Sequence, residues 1–214
     1  MKRIFLIAAF MANFFVYAAS ASEQAFSAGI SLPFITNDYF FDEYDKVRIN
    51  AVGLNLAYRK LPDDKKYGFF LNADIFLPYS KTLIVDENNT ESMNLGDYKY
   101  FFGMDFLGGI YTNVFSEGII NIPVGAGLHF DAVMSKEKDK YFSYKESVYT
   151  VGLGAWANFE MNPSEKIGVY AGTKLNYDFY YKISGKGKGL KDASDSGNCS
   201  GFSVIPAIGV IVKF

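Results

Sequence analysis

The sequence is poor in cysteine, in excess positive charge and in long apolar runs. Cys199 is the single cysteine among 214 residues, which excludes the disulfide framework that staples many small exported domains. The formal net charge is −2 and no basic stripe is present, so nothing would neutralise phosphates and nucleic acid is not expected as a partner. Beyond the N-terminus, uncharged stretches are cut by Gly, Asn and Pro, and no window predicts a transmembrane helix. The stability of the chain must come from burial or from a membrane.

The N-terminus has the organisation of a secretory signal peptide. Lys2 and Arg3 precede the apolar run IFLIAAFMANFFVYAA, and the small residues ASA follow it. Cleavage after Ala21 would shift the formal net charge from −2 to about −4. We predict a signal peptide over 1–21 and one exported domain over 22–214, with an uncleaved anchor as the alternative.

The composition is typical of an all-β protein. Aromatic residues make up 18 % of the chain, with 21 Phe and 16 Tyr, and Gly numbers 20. Runs of the helix-favouring residues Ala, Leu, Glu and Lys are missing. Aromatic enrichment without helical runs predicts strands.

A period of two recurs along the chain. In INIPVGAGLHFDAV, every second residue from Ile120 to Ala132 is apolar, whereas the residues between them are small or polar. Such alternation predicts a strand with one apolar face. The pattern occurs eight times, over 25–34, 49–58, 67–77, 98–110, 120–133, 149–159, 167–181 and 207–214.

The connections between these strands alternate in length. KLPDDKK, NVFSEG and NPSEK are short. The other connections, over 36–48, 80–97, 135–143 and 184–201, are longer and rich in charge, Ser, Gly or Asn. Brief turns at one end and extended loops at the other are the pattern of an outer-membrane barrel. We therefore predict an eight-stranded antiparallel up-and-down transmembrane β-barrel.

Two architectures fit this alternation, and they place the apolar row on opposite sides. A lipocalin-like barrel would turn it inward around a ligand, whereas a membrane barrel turns it toward lipid. The apolar rows have about the 9–11 residues that a tilted strand needs to cross hydrocarbon, and aromatic residues such as Tyr98 and Tyr181 cap them. The opposite row contains Phe70, Trp156 and Tyr180, which suit a filled interior better than a water-facing surface. These features favour the membrane.

The C-terminal segment GVIVKF, with Val210, Val212 and Phe214 on one face, looks like the assembly signal of small outer-membrane barrels. With the eight-strand pattern, the chain resembles the OmpA, OmpX and OmpW type over 25–214. The resemblance implies insertion by the outer-membrane barrel assembly machinery, and a gated or lateral route for small hydrophobic molecules. Pro123 and Pro206 depart from the pattern, because each removes a ladder donor, and we interpret them as bulges or strand ends.

Charged residues on the inward row predict a polar network in the lumen. Its expected members are Asp74, Asp105, His129, Asp131, Lys174 and Asp178. Buried charges are tolerated only when they are paired, so a salt-bridged core is favoured over an ion path. An eight-stranded barrel is filled by its own side chains, which disfavours a diffusion pore.

His129 and Asp131 are also residue types found in hydrolase active sites, because a His beside a carboxylate can act as a general base. No nucleophile partner is identifiable in the sequence. A hydrogen-bond network is therefore the favoured interpretation of this pair.

The predicted loops contain two charged patches and the cysteine. Asp86, Asn88 and Glu91 have oxygen ligands but miss the EF-hand spacing, so we expect a solvated acidic loop and no metal or cofactor. A basic patch in the last loop is a candidate for contact with lipopolysaccharide-type glycolipid; its members are Lys186, Lys188 and Lys191. Cys199 is either an intermolecular disulfide partner or a free thiol.

Three functions remain open. The leading hypothesis is a non-enzymatic outer-membrane scaffold that displays four surface loops to ligands or host molecules, because rigid barrels place activity in their loops. The second is a narrow channel or lateral path for small or hydrophobic solutes. The third is a lipid-modifying enzyme that uses His129.

Overall fold

The computed structural model describes residues 22–39, 46–63, 65–84, 90–138, 144–187 and 193–214. The predicted signal peptide lies outside these residues and stays a prediction. Within them, no helix is long and apolar enough to cross a membrane. Apart from a 3-10 helix at Leu95–Asp97, the regular structure is β, and the strands are β1 Ser22–Ser31, β2 Phe34–Tyr39, β3 Lys46–Pro62, β4 Gly68–Ile84, β5 Thr90–Met93, β6 Tyr98–Glu117, β7 Ile120–Glu137, β8 Tyr144–Met161, β9 Ile167–Gly187 and β10 Ala193–Lys213.

The strands close into an eight-stranded barrel. β1 and β2 form one wall strand interrupted at Leu32 and Pro33, because both pair with β3 on one side and with β10 on the other. The remaining wall strands are antiparallel to their neighbours, and β5 is an addition that pairs with β4. The pairing of β1 with β10 closes the ring. The predicted eight-stranded antiparallel up-and-down barrel is confirmed.

The apolar row lies on the outside of this barrel. In β7, Leu128 is 69 % exposed and the next residue, His129, is 1 % exposed. The same contrast separates Ile75 from Asp74 in β4. A continuous apolar outer surface around a polar interior is matched by hydrocarbon and not by water. The lipocalin-like alternative is therefore excluded.

A β-bulge in β9 reverses the predicted faces of two tyrosines. Val151 pairs with Tyr180, but the next residue, Gly152, pairs with Asp178, so Phe179 is an extra residue. One extra residue shifts the alternation. Phe179 and Tyr180 consequently both lie outside, whereas Tyr181 is buried. The prediction of Tyr180 as inward and Tyr181 as outward was wrong for this reason.

A second bulge changes the position of Tyr98. Tyr98 pairs with Glu137 while Tyr100 pairs with Lys136, so Lys99 is the extra residue. Tyr98 is 7 % exposed and faces the interior, where the sequence had predicted an outward tyrosine. The unpaired residue again shifts the period of two.

The strands also extend further than predicted at the end opposite Ser22 and Phe214, which we call the outer end. β9 continues to Gly187 and β10 begins at Ala193, so most of the predicted loop over 184–201 is strand. Ladder pairing uses the backbone and continues where the apolar row stops. The wall therefore rises beyond the apolar band.

The two prolines that depart from the strand pattern, Pro123 and Pro206, lie next to irregularities of neighbouring strands. Pro123 is next to a bulge, because Asn113 pairs with Pro123 while Phe115 pairs with Ile122. Pro206 lies opposite the interruption between β1 and β2, and its carbonyl accepts a hydrogen bond of 2.9 Å from the Leu32 backbone N–H. The interpretation of the prolines as bulges or strand ends agrees with the register at Pro123, but it was wrong for Pro206, which lies within β10 in regular register with Thr173 on β9.

Candidate functional site: charged lumen and outer vestibule

The six predicted lumen residues are all buried, and five of them form one network at mid-height. Lys174 on β9 makes ion pairs with Asp74 on β4 and Asp105 on β6. His129 on β7 places Nε2 2.6 Å from Asp105 Oδ2 and Nδ1 2.6 Å from Asp178 Oδ1. Asp105 thus joins the lysine to the histidine, and four strands are tied together across the barrel. We call this network the lumen plug.

Amides complete the lumen plug around its carboxylates. Asn55 Nδ2 donates to Asp74 Oδ2 at 3.0 Å and to Asn72 Oδ1 at 2.7 Å. The Tyr170 hydroxyl donates to Asn55 Oδ1 at 2.8 Å, and Asn176 Nδ2 donates to Asp105 Oδ2 at 3.2 Å. Buried ions need such additional hydrogen bonds to offset their desolvation.

His129 lies in a hydrogen-bond network, but Asp131, two residues away on β7, is not its partner. Both ring nitrogens of His129 face the carboxylates of Asp105 and Asp178. Asp131 is buried beside this network, and its Oδ1 has no hydrogen-bond partner among the described residues. A histidine held between two carboxylates has neither nitrogen available to take a proton from a nucleophile.

A second charged layer, absent from the sequence prediction, crosses the lumen near the chain termini. Arg59 on β3 and Glu160 on β8 form a two-pronged ion pair, with Nη2 2.6 Å from Oε2. Asn121 donates to Glu160 Oε2 at 3.0 Å. Arg59 and Glu160 continue the inward rows of their strands past the last residues assigned to them, so extending the period of two would have found both.

Above the lumen plug, the outer end of the barrel holds a cavity of about 410 Å³, which we call the outer vestibule. Two of its lining residues, Ile49 and Val133, belong to an apolar cluster with Phe76. The apolar and aromatic lining comes from Val47, Ile49, Leu83, Met93, Tyr98, Phe101, Val133, Tyr144, Val148 and Ile183, and the charged lining from Lys81, Glu137 and Glu146.

The charges of the outer vestibule are concentrated around Tyr98. Lys81 Nζ lies 3.6 Å from Glu146 Oε2. Burial raises the pKa of Tyr98 to about 12, and Glu137, Glu146 and Asp97 add to the shift. Tyr98 lies beyond the outward apolar band, where these carboxylates produce a negative potential.

The strand pairing between β4 and β6 ends beside the vestibule. β4 and β6 pair from Gly68 and Tyr111 up to Phe76 and Gly103. Among the described residues, no pairing joins the two strands beyond that point; the outer part of β4 pairs with β3 and β5, and that of β6 with β7. We call the separation between 77–80 of β4 and 99–102 of β6 the wall gap.

The sequence of β4 explains why pairing stops at the wall gap. Pro78 has no N–H to donate. Tyr79 is an extra residue, because Ala51 pairs with Pro78 while Asn50 pairs with Ser80. Proline and bulges are two devices that end strand pairing.

The predicted loop sites fall only partly within the described residues. Lys186 is exposed on β9, and Glu91 lies on β5. Asp86, Asn88, Lys188 and Lys191 are outside the described ranges. Within those ranges, no cluster of three His, Cys, Asp or Glu side chains could hold a metal ion.

Cys199 faces the interior near the outer end. Its side chain is 5 % exposed and packs against Tyr181. Burial raises the pKa of the thiol to about 11, with Asp178 contributing. A buried, protonated thiol disfavours the intermolecular disulfide and favours the free thiol.

The residues of the predicted assembly signal lie on the outside of β10. Val210, Val212 and Phe214 are all exposed, and the backbone of Phe214 exchanges hydrogen bonds of 3.1 and 3.3 Å with Gln24 at the start of the barrel. Reading of these residues by the assembly machinery stays a prediction.

Comparison with known proteins identifies the fold but no sequence family. No protein-family model matches the chain, and no curated protein gives a significant sequence match. The outer membrane protein OprG from Pseudomonas aeruginosa is 14 % identical with a TM-score of 0.61, covering 91 % of this chain and 97 % of that one. Neisserial surface protein A is 12 % identical with a TM-score of 0.54, covering 89 % and 99 %. A major outer membrane protein from Thermus thermophilus is 10 % identical with a TM-score of 0.54, covering 87 % and 99 %.

The closed ring, the outward apolar band and these structural neighbours lead to one conclusion. A barrel with an apolar exterior and a charged interior belongs in a membrane. The chain has the fold of the small eight-stranded outer-membrane β-barrels of the OmpA, OmpX and OmpW type.

Proposed function

We propose that this protein is a non-enzymatic barrel that takes small apolar molecules into the outer vestibule and releases them through the wall gap toward the outer leaflet. The observation that carries this proposal is the end of the β4–β6 ladder at Phe76 and Gly103, beside an apolar cavity of about 410 Å³. A cavity of this size lies within the range of small-molecule sites, about 300–1,000 Å³.

The lumen plug supports a sideways route over a through channel. A solute that moved down the barrel axis would have to separate Lys174 from Asp74 and Asp105, and then Arg59 from Glu160. Separating buried ions leaves uncompensated charges in a medium of low dielectric constant, which costs several kcal/mol per ion. Apolar molecules have no groups that would replace the lost partners.

The height of the wall gap supports release into the membrane. Leu77 and Tyr79 on β4 are exposed apolar residues at the outer limit of the apolar band. Tyrosine is typical of the membrane–water interface. The unpaired edge is about 13 Å long at about 3.3 Å per residue, and at the interface water can still satisfy its backbone groups.

Loop display is the second candidate function. The observation that favours it is the extension of β9 to Gly187 and of β10 from Ala193, beyond the apolar band. A lipid-modifying role for His129 is not favoured, because both of its ring nitrogens face carboxylates.

The experiment closes the wall gap with a disulfide. Leu77→Cys and Phe102→Cys are introduced together in a Cys199→Ser background, since these positions follow the last paired residues, Phe76 and Gly103. Uptake of the apolar dye 1-N-phenylnaphthylamine is measured in vesicles that contain the protein. We expect oxidation to lower uptake several-fold and reduction to restore it.

The control disulfide joins Leu71→Cys to Gly108→Cys, a pair that is already in register lower in the same two strands. It should leave uptake unchanged. Equal uptake with the wall gap locked and unlocked would refute the lateral route. A wild-type barrel that neither binds nor passes the dye would leave loop display as the function.

A further inference from the structure

Lys81 places an ammonium group inside the outer vestibule. The side chain extends from β4 toward β8, three wall strands away, and Nζ lies 3.6 Å from Glu146 Oε2. The same nitrogen lies 5.8 Å from the ring centroid of Tyr98 and 5.7 Å from that of Phe101. Both distances are within the range of cation–π contacts, about 6 Å. One carboxylate and two aromatic rings thus surround a cation.

The vestibule remains negative even with Lys81 in place. Its lining carries the carboxylates of Glu137 and Glu146 against the single ammonium group of Lys81. The adjoining cavity at the rim adds Glu91 and Asp97 against Lys138, whose Nζ donates to the Gly96 carbonyl at 2.9 Å. An organic anion would meet this field unfavourably, whereas a cation would be attracted.

We propose that the outer vestibule selects small apolar molecules that carry one positive charge. The ammonium group of Lys81 competes with the cationic group of these molecules for the same site. The ammonium group of the ligand takes the place of Lys81 Nζ between Glu146 and the rings of Tyr98 and Phe101, and its apolar body contacts the aliphatic lining. This inference rests on the proposed binding of apolar molecules in the vestibule and adds the charge of the ligand.

The chemistry of lysine allows the exchange. The flexible four-carbon stem can turn the ammonium group toward the rim, where Glu137 and Asp97 are available carboxylates. The ligand gains the aromatic and carboxylate contacts that Lys81 gives up. Its apolar body can contact Leu83, Val148 and Ile183, which line the same cavity.

The test compares two molecules of the same shape. Benzyltrimethylammonium carries one positive charge, and neopentylbenzene is its neutral isostere; 4-phenylbutyrate serves as the anion. Binding of each is measured by titration of the full protein in lipid nanodiscs. The variants are Lys81→Met, Lys81→Gln and Glu146→Gln, with exposed Lys182→Met and Glu117→Gln as matched controls outside the vestibule.

Removal of the Lys81 ammonium group should raise the affinity for the cationic ligand and leave the affinity for the neutral ligand unchanged. We expect Lys81→Met and Lys81→Gln to raise the affinity for benzyltrimethylammonium at least ten-fold, and Glu146→Gln added to Lys81→Met to reverse most of the gain. Affinity for neopentylbenzene should change less than two-fold, and the control variants should change neither. A mobility shift on boiling shows that each variant is folded.

Two results would overturn the inference. If the Lys81 variants bind benzyltrimethylammonium no more tightly, or if wild-type protein prefers 4-phenylbutyrate, Lys81 does not compete with a cation. If neopentylbenzene does not bind wild-type protein at all, the proposed function itself fails. The affinity for the neutral molecule thus tests apolar binding, and the ratio of cation to neutral affinity tests the charge.

Discussion

Removing Lys174 should strongly destabilise the barrel. Its ammonium group is the shared partner of Asp74 and Asp105, and all three side chains are buried. Lys174→Met keeps an unbranched side chain of similar length but leaves two carboxylates without their cation. Breaking a buried ion pair by removing one partner costs about 3–5 kcal/mol, so we expect the free energy of unfolding to fall by at least about 3 kcal/mol.

A compensated variant separates the loss of charge pairing from the loss of packing. Asp74→Asn and Asp105→Asn, added to Lys174→Met, remove the two carboxylates and retain groups of similar shape. Replacing all members of a buried ionic cluster is often neutral. The triple variant should therefore recover most of the lost stability, although His129 also loses one of its carboxylate partners.

Urea unfolding in detergent measures both variants. The single tryptophan, Trp156, stacks on Phe70 with ring centroids 5.0 Å apart inside the barrel, so its fluorescence reports unfolding. With a slope of about 1–3 kcal/mol per M, the midpoint for Lys174→Met should fall by at least about 1 M. A loss below about 1 kcal/mol, or a triple variant no more stable than the single one, would refute the account of the lumen plug.

Three further predictions concern His129, Cys199 and the barrel as a whole. His129→Ala should lower the stability of the barrel and leave the lipid composition of the outer membrane unchanged, as judged by mass spectrometry; a change in lipids with an intact barrel would instead identify an enzyme. With a thiol pKa raised from 9.0 to about 11, Cys199 at pH 8 should hold about 100-fold less thiolate than an ordinary cysteine and react with maleimide correspondingly slowly. Exposed Ser196→Cys in a Cys199→Ser background is the comparison, and equal rates would contradict the burial of Cys199. The refolded protein should migrate differently with and without boiling on a denaturing gel, together with β-rich circular dichroism, whereas a detergent-free soluble protein would contradict the membrane barrel.

The sequence was sufficient to predict which strand residues face lipid and which face the lumen, because this depends on a local pattern. Alternation of apolar and polar residues is a property of each strand, so Leu128 and His129 could be assigned to opposite faces without knowledge of any neighbour. The same rule predicted that Asp74, Asp105 and Lys174 face the lumen. It failed at Tyr98, Tyr180 and Tyr181, because a bulge adds one residue and has no reliable compositional mark.

The pairing of charges could not be obtained in this way. The sequence placed His129 beside Asp131, two residues away on the same strand, but the structure pairs it with Asp105 and Asp178 on other strands. Partners across a lumen depend on the register of every strand between them. The same holds for Arg59 and Glu160, which are 101 residues apart.

Each strand carries its own alternation, so a barrel with an apolar exterior and a charged interior can be predicted from the sequence. The position of the wall gap and the contacts inside the vestibule depend on the folded ring. Pro78 is visible in the sequence, yet the sequence does not show that the ladder between β4 and β6 ends at Phe76 and Gly103. The vestibule likewise requires Lys81 from β4 and Glu146 from β8 to meet across the lumen. Such contacts arise from closure of the whole ring, which no single strand encodes.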